Sequence, residues 1–208
     1  MPYKKNITNK IHPCDVLYIS ENSAWGEIGY EAVCALFDDV TPIYWSPGMP
    51  KPDIDDWHGD WIISFKSDLI LPVSVIEKAQ KGALNFHPAP PQYRGIGGYW
   101  WALHNNDDIF GVTVHHMNER IDHGDIIKVD YFSILQDRTE ESLKQKAAYF
   151  SLKLLNTILR DIIDGKSLHP CGAKWDSHLY TQRELEEAKA RMASKAMIEK
   201  KIVNQIAS

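Results

Sequence analysis

Short apolar runs alternate with segments of helical period along the first half of the chain. The runs are bounded by turn-forming residues and rich in β-branched or aromatic side chains, so they predict buried strands. They cover residues 15–20, 40–45, 61–65 and 83–86. Pro42 cannot donate a hydrogen bond to a neighbouring strand, which restricts the second run to a sheet edge or a strand end.

The segments between these runs carry helix-start and helix-end signals. One helix is predicted over 26–37, where Asn22 or Ser23 offers a cap. A second is predicted over 72–81, because Pro72 suits the first turn and Gly82 suits the end. Strands that alternate with helices of this length favour right-handed βαβ units and a parallel sheet.

The second half of the chain predicts two more strands and two helices. The strands cover 111–117 and 126–134, and the long helix after them is capped by Asp137 or Thr139. Thr181 and Glu184 have the spacing of a capping box before a final charged helix. We therefore predict an α/β domain over 1–165, with a mainly parallel twisted sheet and helices on both faces. A helical tail follows over 166–208.

Composition excludes several classes of protein. The chain has 208 residues and a net charge of −5, which argues against a nucleic-acid partner. It lacks an apolar run of the roughly 18 residues that a membrane helix needs, and its basic N-terminus lacks the apolar segment of a secretory signal. Cys14, Cys34 and Cys171 form no CxxC pair, which predicts free thiols. The expectation is a cytoplasmic protein without a membrane partner.

Polar residues and glycines concentrate between residues 85 and 125. Asn85 and His87 lie two apart at a predicted strand end, so their side chains share a face and could donate to a developing oxyanion. Such a pair alone is more commonly structural. Asp122, His123 and Asp125 add further titratable groups in a turn between two predicted strands.

The histidines of this region do not predict a metal site. His115 and His116 are adjacent on a predicted strand, so they point to opposite faces and cannot bind one ion together. The chain contains neither HExxH nor HxH. We therefore expect a reaction that uses no metal.

Four segments in this region, taken together, resemble a known family. They are Asn85-Phe-His87-Pro88, Tyr93-Arg94-Gly95, Gly111-Val-Thr-Val-His115 and Ile121-Asp122-x-Gly124-Asp125. Their order and spacing are similar to those of the 10-formyltetrahydrofolate-dependent formyltransferases. That family includes the glycinamide ribonucleotide, methionyl-tRNA and nucleotide-sugar enzymes. Residues 64–72 also resemble the family's folate-binding loop, and the likeness extends over roughly residues 60–135.

The resemblance implies a Rossmann-like fold and a specific reaction. An amine would attack the formyl carbon of 10-formyltetrahydrofolate, which acts as co-substrate. By position, Asn85 and protonated His87 would hold the oxyanion, and Asp122 would hold His87 and help to carry the proton. The implied folate contacts, for which core packing is an equal alternative, are Leu69, Leu71, Ile76, Met117, Glu119 and Ile121.

The acceptor amine is less well defined by the resemblance. Residues 20–26 lack the glycine-rich phosphate loop of glycinamide ribonucleotide enzymes, and the acidic chain suits tRNA poorly. We therefore expect a nucleotide-linked aminosugar, most simply a TDP-amino-dideoxyhexose. Arg94, Tyr99 and Trp25 are predicted to bind it, and the aromatic rings could stack on its base. The alternatives are the other two acceptors, a formyl-folate hydrolase and a catalytically silent folate-binding relative.

The predicted final helix suggests a further contact. Its apolar stripe needs a partner, either the core or a second subunit. The stripe consists of Leu185, Ala188, Met192, Ala196 and Ile202. We expect a homodimer to which this tail contributes.

Overall fold

A mixed six-stranded sheet forms the centre of the computed structural model, which describes residues 12–136 and 139–206. In chain order the strands are β1 His12–Ser20, β2 Phe37–Tyr44, β3 Gly59–Phe65, β4 Ala79–His87, β5 Ile109–His116 and β6 Ile126–Ser133. The helices are α1 Ala24–Cys34, α2 Val73–Ile76, α3 Gly98–His104, α4 Glu140–Ile163 and α5 Gln182–Ile206.

The strand order across the sheet is β2-β1-β3-β4-β5-β6. The first four strands pair in parallel, whereas β5 and β6 are antiparallel to their neighbours. The prediction of an α/β fold with a mainly parallel sheet is therefore confirmed. Pro42 lies in β2, which is an edge strand as this residue requires.

Alternate residues of the central strands feed two separate apolar cores. In β1, Val16 and Tyr18 pack on the face covered by α1 and α4, while Leu17 and Ile19 pack on the face covered by α2. This division follows from the two-residue period of a strand. Helices therefore cover both faces, as predicted, and leave the strand ends free to carry a site.

The helix predicted over 72–81 is much shorter in the structure. Only Val73–Ile76 is helical, and Ala79 already pairs with Gly59 of β3. Gly82, predicted to end the helix, instead lies in β4 at φ +153, where an added Cβ would contact the Trp61 ring at 3.0 Å. The pairing with β3, and the space that Gly82 leaves for the Trp61 ring, favour a strand here although the local sequence pattern favours a helix.

Helix α3 was absent from the predicted elements. Its seven residues are too few to show a helical period, and they follow a loop rich in proline and glycine. Gly97 precedes the helix at φ +84, in the left-handed region that only glycine adopts readily. The loop thus turns sharply into α3 and passes beside the ends of β4 and β5.

Three predicted caps occur in the structure. The Ser23 hydroxyl accepts from Gly26 N at 3.2 Å, and the Thr139 hydroxyl accepts from Ser142 N at 3.1 Å. At the start of α5, Thr181 N donates to Glu184 Oε2 at 2.8 Å, which is one half of a capping box. Asp137, the other candidate cap of α4, lies outside the described residues.

Loss of the α4 cap should reduce stability. Thr139→Ala removes the acceptor for Ser142 N, so we expect the free energy of unfolding to fall by about 1 kcal/mol. Thr157→Ala is the matched control, because the Thr157 hydroxyl bonds only to the Lys153 carbonyl within α4. Urea unfolding measures both. Equal stability of the two variants would contradict the role of this cap.

The apolar face of α5 is only partly covered. Leu185 is buried, but Met192 and Ile202 are 45% and 49% exposed.

None of the described helices combines the length and apolarity needed to cross a bilayer. The domain boundary near residue 165 and the homodimer both stay predictions.

Sedimentation velocity tests the homodimer. If α5 contributes to a subunit contact, the sedimentation coefficient should rise with protein concentration. Met192→Glu should then shift the protein toward the monomer, because it places a charge on the exposed apolar face. A monomer at every concentration would contradict the prediction.

Candidate active site

A cavity of about 680 Å³ opens at the edge of the sheet where β3 and β4 end. Ser64 of β3 and Asn85 and His87 of β4 line it. The ends of parallel strands are where open α/β sheets place their sites. His115 of the antiparallel strand β5 reaches the same cavity, because its Cα pairs with that of Asn85.

The structure brings Asn85, His87 and Asp122 together, as predicted. His87 Nδ1 lies 3.4 Å from Asp122 Oδ2, and Asn85 Nδ2 donates to Asp122 Oδ1 at 3.2 Å. Asp122 belongs to the loop between β5 and β6, which folds back over the end of β4. These contacts place all three groups within reach of one small substrate group in the cavity.

Asp122 is held rigidly. Its backbone has φ +43, and its Oδ2 accepts a hydrogen bond from Gly95 N at 3.1 Å. Burial alone would raise the pKa of this carboxyl, but the facing histidines and the Gly95 amide outweigh burial and lower the pKa to about 2. Asp122 is therefore a fixed negative charge across the physiological range of pH.

His115 is the group in this network that the sequence did not assign to the site. Its Nε2 lies 3.1 Å from Asn85 Nδ2 and 3.4 Å from Asp122 Oδ1, and its Nδ1 faces the His116 carbonyl at 2.8 Å. The sequence placed His115 at the end of one of the four family-like segments and excluded it as part of a metal site, but gave it no role in the reaction. Its place depends on the antiparallel register of β4 and β5, which the local pattern does not reveal.

This four-residue network, which we call the Asn-His-His-Asp cluster (Asn85, His87, His115 and Asp122), can move and stabilise charge. His87 Nε2 donates to the Tyr93 carbonyl at 2.9 Å, so both of its ring nitrogens face acceptors in this arrangement. A protonated His87 can donate to both. His115 Nε2 can accept from Asn85 when neutral or donate to Asp122 when protonated, which gives the cluster a route for proton exchange.

The predicted folate contacts all line the cavity. Several apolar side chains form one part of its wall, and the loop after β5 supplies backbone beside them. The predicted residues found there are Leu69, Leu71, Ile76, Met117, Glu119 and Ile121. Such a wall, with one apolar surface and exposed backbone groups, suits a flat heterocycle.

Of the three predicted substrate contacts, one lines the cavity and two do not. Tyr99 lines the cavity. Arg94 and Trp25 are not among its lining residues: Arg94 Nε donates to the Ile121 carbonyl at 3.0 Å, and Trp25 Nε1 donates to Gln145 Oε1 of α4 at 2.7 Å. We therefore leave these two residues out of the proposed binding surface.

An ion pair that the sequence did not predict also lines the cavity. Lys66 Nζ is 2.6 Å from Glu21 Oε1, and the Lys66 side chain is only 3% exposed. Burial alone would raise the pKa of Glu21, but the hydrogen bond and charge of Lys66 outweigh it and lower that pKa. Lys144 also lines the cavity, so its wall carries positive lysine and negative glutamate side chains.

In the part of the chain that the structure describes, no three or more His, Cys, Asp or Glu residues are arranged to hold a metal ion.

Comparison with known proteins assigns the chain to a family. The family model described as "Formyl transferase" matches residues 52–159, which include the whole cluster. The chain belongs to the formyl transferase family. This confirms the family resemblance of the four sequence segments.

Relatives of this formyl transferase family member differ in function and length. The bifunctional polymyxin resistance protein ArnA of Wigglesworthia glossinidia brevipalpis is 35% identical over 117 residues, which are 56% of this chain and 17% of that protein. The methionyl-tRNA formyltransferase of Agathobacter rectalis is 33% identical over 110 residues, 52% of this chain and 36% of that protein. The chain therefore spans well under half the length of either curated relative.

A solved structure shows the same fold. The N-formyltransferase from Helicobacter canadensis, in complex with folinic acid and dTDP-3-aminofucose, matches with a TM-score of 0.64 and 18% identity. The alignment covers 82% of this chain and 71% of that one. The fold of this family thus extends over most of the described chain.

Removal of the Asp122 charge should change the pH dependence of stability. A carboxyl whose pKa falls on folding contributes stability above its unfolded pKa and loses it as the pH falls through the folded pKa. With a folded pKa of about 2, Asp122→Asn should cost roughly 2 kcal/mol at neutral pH. The difference from wild type should shrink between about pH 4 and pH 2.

Urea unfolding at several pH values measures this difference. Asp125→Asn is the control, because Asp125 lies in the same loop but is exposed. A gap between Asp122→Asn and wild type that stays constant as the pH falls would contradict the role given to the charge.

Proposed function

We propose that the protein transfers a formyl group from 10-formyltetrahydrofolate to the amine of a nucleotide-linked aminosugar. The observation that carries this proposal is the Asn-His-His-Asp cluster at the end of β4, which lines a cavity of about 680 Å³. The folate would supply the formyl group and leave as tetrahydrofolate. The acceptor amine forms the new C–N bond, and its proton goes to the folate nitrogen whose bond to the formyl carbon breaks.

The cluster residues have separable roles in this reaction. Asn85 Nδ2 would donate to the formyl oxygen as negative charge develops there, in place of a protein acceptor it faces now. A protonated His87 would place a positive charge near that oxygen and so stabilise the negative charge that develops there. Asp122 holds both of them, since it contacts Asn85 and His87 directly.

The folate would occupy the apolar part of the cavity. Leu69, Leu71, Ile76 and Met117 offer it a surface for its ring, and the backbone around Glu119 and Ile121 offers hydrogen-bonding groups. The Helicobacter canadensis relative, which shares this fold, was solved with folinic acid. That complex supports a folate in the homologous cavity.

The acceptor would bind toward Glu21, Lys66, Tyr99 and Lys144. Lysines suit the phosphates of a nucleotide sugar, and Glu21 suits its hydroxyl or amine groups. A TDP-amino-dideoxyhexose is the specific acceptor we propose, because the Helicobacter canadensis protein is bound to dTDP-3-aminofucose. Glycinamide ribonucleotide and methionyl-tRNA are the competing acceptors, the second because of the Agathobacter rectalis relative.

An acceptor panel tests this function. The purified protein is incubated with 10-formyltetrahydrofolate and, separately, TDP-aminosugars, glycinamide ribonucleotide and methionyl-tRNA. We expect mass spectrometry to find one added formyl group on an aminosugar. Asn85→Ala and His87→Ala should each reduce kcat by about a hundredfold or more, because each removes a group that acts on the oxyanion.

His58→Ala is the control variant, since His58 is exposed and bonds only to the Asp56 carbonyl in the loop before β3. It should keep the wild-type rate. Formylation of either competing acceptor alone would overturn the aminosugar. Release of formate without any acceptor would show a hydrolase, and folate binding without turnover would show a silent relative.

A further inference from the structure

Residues 166–181, which join α4 to α5, form a strap across the back of the Asn-His-His-Asp cluster. The strap lies outside residues 52–159, which the family model matches. Hydrogen bonds fasten it along its length to segments that surround the cluster. They run from Cys171 N to the Ile126 carbonyl at 2.8 Å, from Asp176 N to the Pro91 carbonyl at 3.1 Å and from His116 Nε2 to the Leu168 carbonyl at 3.0 Å.

One end of the strap is hydrogen-bonded to residues 94–96, the segment whose Gly95 amide donates to Asp122. Tyr180 N donates to the Arg94 carbonyl at 2.9 Å, and Ile96 N donates to the Tyr180 carbonyl at 2.9 Å. Gly95 lies between these bonds at φ +90, where an added Cβ would collide with the Tyr180 carbonyl. The Gly95 amide that donates to Asp122 is thus set in place by the strap.

Trp175, in the middle of the strap, contacts both histidines of the cluster. Its ring centroid lies 4.9 Å from that of His115 and 5.8 Å from that of His87, and both contacts are close to perpendicular. Its Nε1 donates to the Gly124 carbonyl at 2.8 Å, two residues beyond Asp122. Gly124 itself has no room for a Cβ against the His116 carbonyl. One indole therefore touches both imidazoles and the loop that carries the carboxylate.

We propose that Trp175 is a positioning residue, which fixes the planes of His87 and His115 and thereby the proton pattern of the cluster. Trp175 is not among the residues lining the cavity, so it faces the cluster from outside the binding wall. An edge-to-face contact restricts rotation of an imidazole. The kinetic part of this inference rests on the proposed function, whereas its spectroscopic part does not.

Two substitutions separate the contacts of Trp175. Trp175→Phe keeps an aromatic ring but loses the bond to Gly124, and Trp175→Leu loses both. The matched controls are Trp45→Phe and Trp45→Leu, because Trp45 also donates its indole N–H to a backbone carbonyl, that of Met49, and does not line the cavity.

The direct readout is the ¹⁵N spectrum of the imidazoles, which distinguishes protonated from unprotonated ring nitrogens. In wild type, His115 Nδ1 should carry a hydrogen, since it faces a carbonyl oxygen. We expect Trp175→Leu to give signals averaged between the two tautomers, and Trp175→Phe and both Trp45 variants to keep the wild-type pattern. Resonances are assigned with His87→Asn and His115→Asn.

Kinetics supply the second readout. Trp175→Leu should lower kcat by roughly tenfold to a hundredfold, while KM for the folate changes by less than about threefold, because the catalytic groups are displaced rather than the binding wall. Trp175→Phe should lower kcat only a few-fold, because it keeps the aromatic ring and loses the bond to Gly124. These values are compared with the Trp45 variants.

Wild-type ¹⁵N patterns and rates in a folded Trp175→Leu protein would overturn the proposal. If that variant does not fold, Trp175→Phe decides: we expect kcat a few-fold below that of Trp45→Phe, and equal rates would overturn the proposal. If no acceptor is formylated by wild type, the proposed function fails. The spectra still test the positioning role.

Discussion

The organisation of this molecule depends on one buried carboxylate. Asp122 accepts from Asn85, faces both His87 and His115, and accepts from the Gly95 amide. A buried negative charge is tolerated only when such partners surround it. The end of β4, the end of β5, the glycine-rich loop and the loop before β6 must therefore converge on one point, and each contributes a contact there.

The reversal of strand direction after β4 makes this convergence possible. A parallel neighbour would place its carboxyl end beside His87 and its side chains in a different register. The antiparallel strand β5 instead sets His115 opposite Asn85 and returns the chain directly into the Asp122 loop. The cavity wall and the cluster therefore share the segment that begins at Met117, since Met117, Ile121 and Asp122 all line the cavity.

The sequence was informative where chemistry is local. Period and caps predicted the strands and most helices, and the resemblance of four short segments to a known family pointed to Asn85, His87 and Asp122. Contacts between residues that only tertiary packing brings together were not predicted from the sequence. Gly82 was read as a helix end because the contact with Trp61 lies in another strand, and His115 gained its role from a strand register. Lys66 and Glu21 are 45 residues apart and carry no shared pattern, so their ion pair was equally invisible.

The position of the strap along the chain has a consequence for biosynthesis. Every strand and the loop that carries Asp122 precede residue 166, so the sheet can form on the ribosome before the strap has emerged. Until residues 175–181 dock, the segment around Gly95 and the two imidazoles lack their contacts with the strap, which we propose help to orient them. The sheet of the nascent domain would thus form before the cluster has all of its contacts. A chain truncated after α4 would keep the sheet but lack the strap that packs against the cluster.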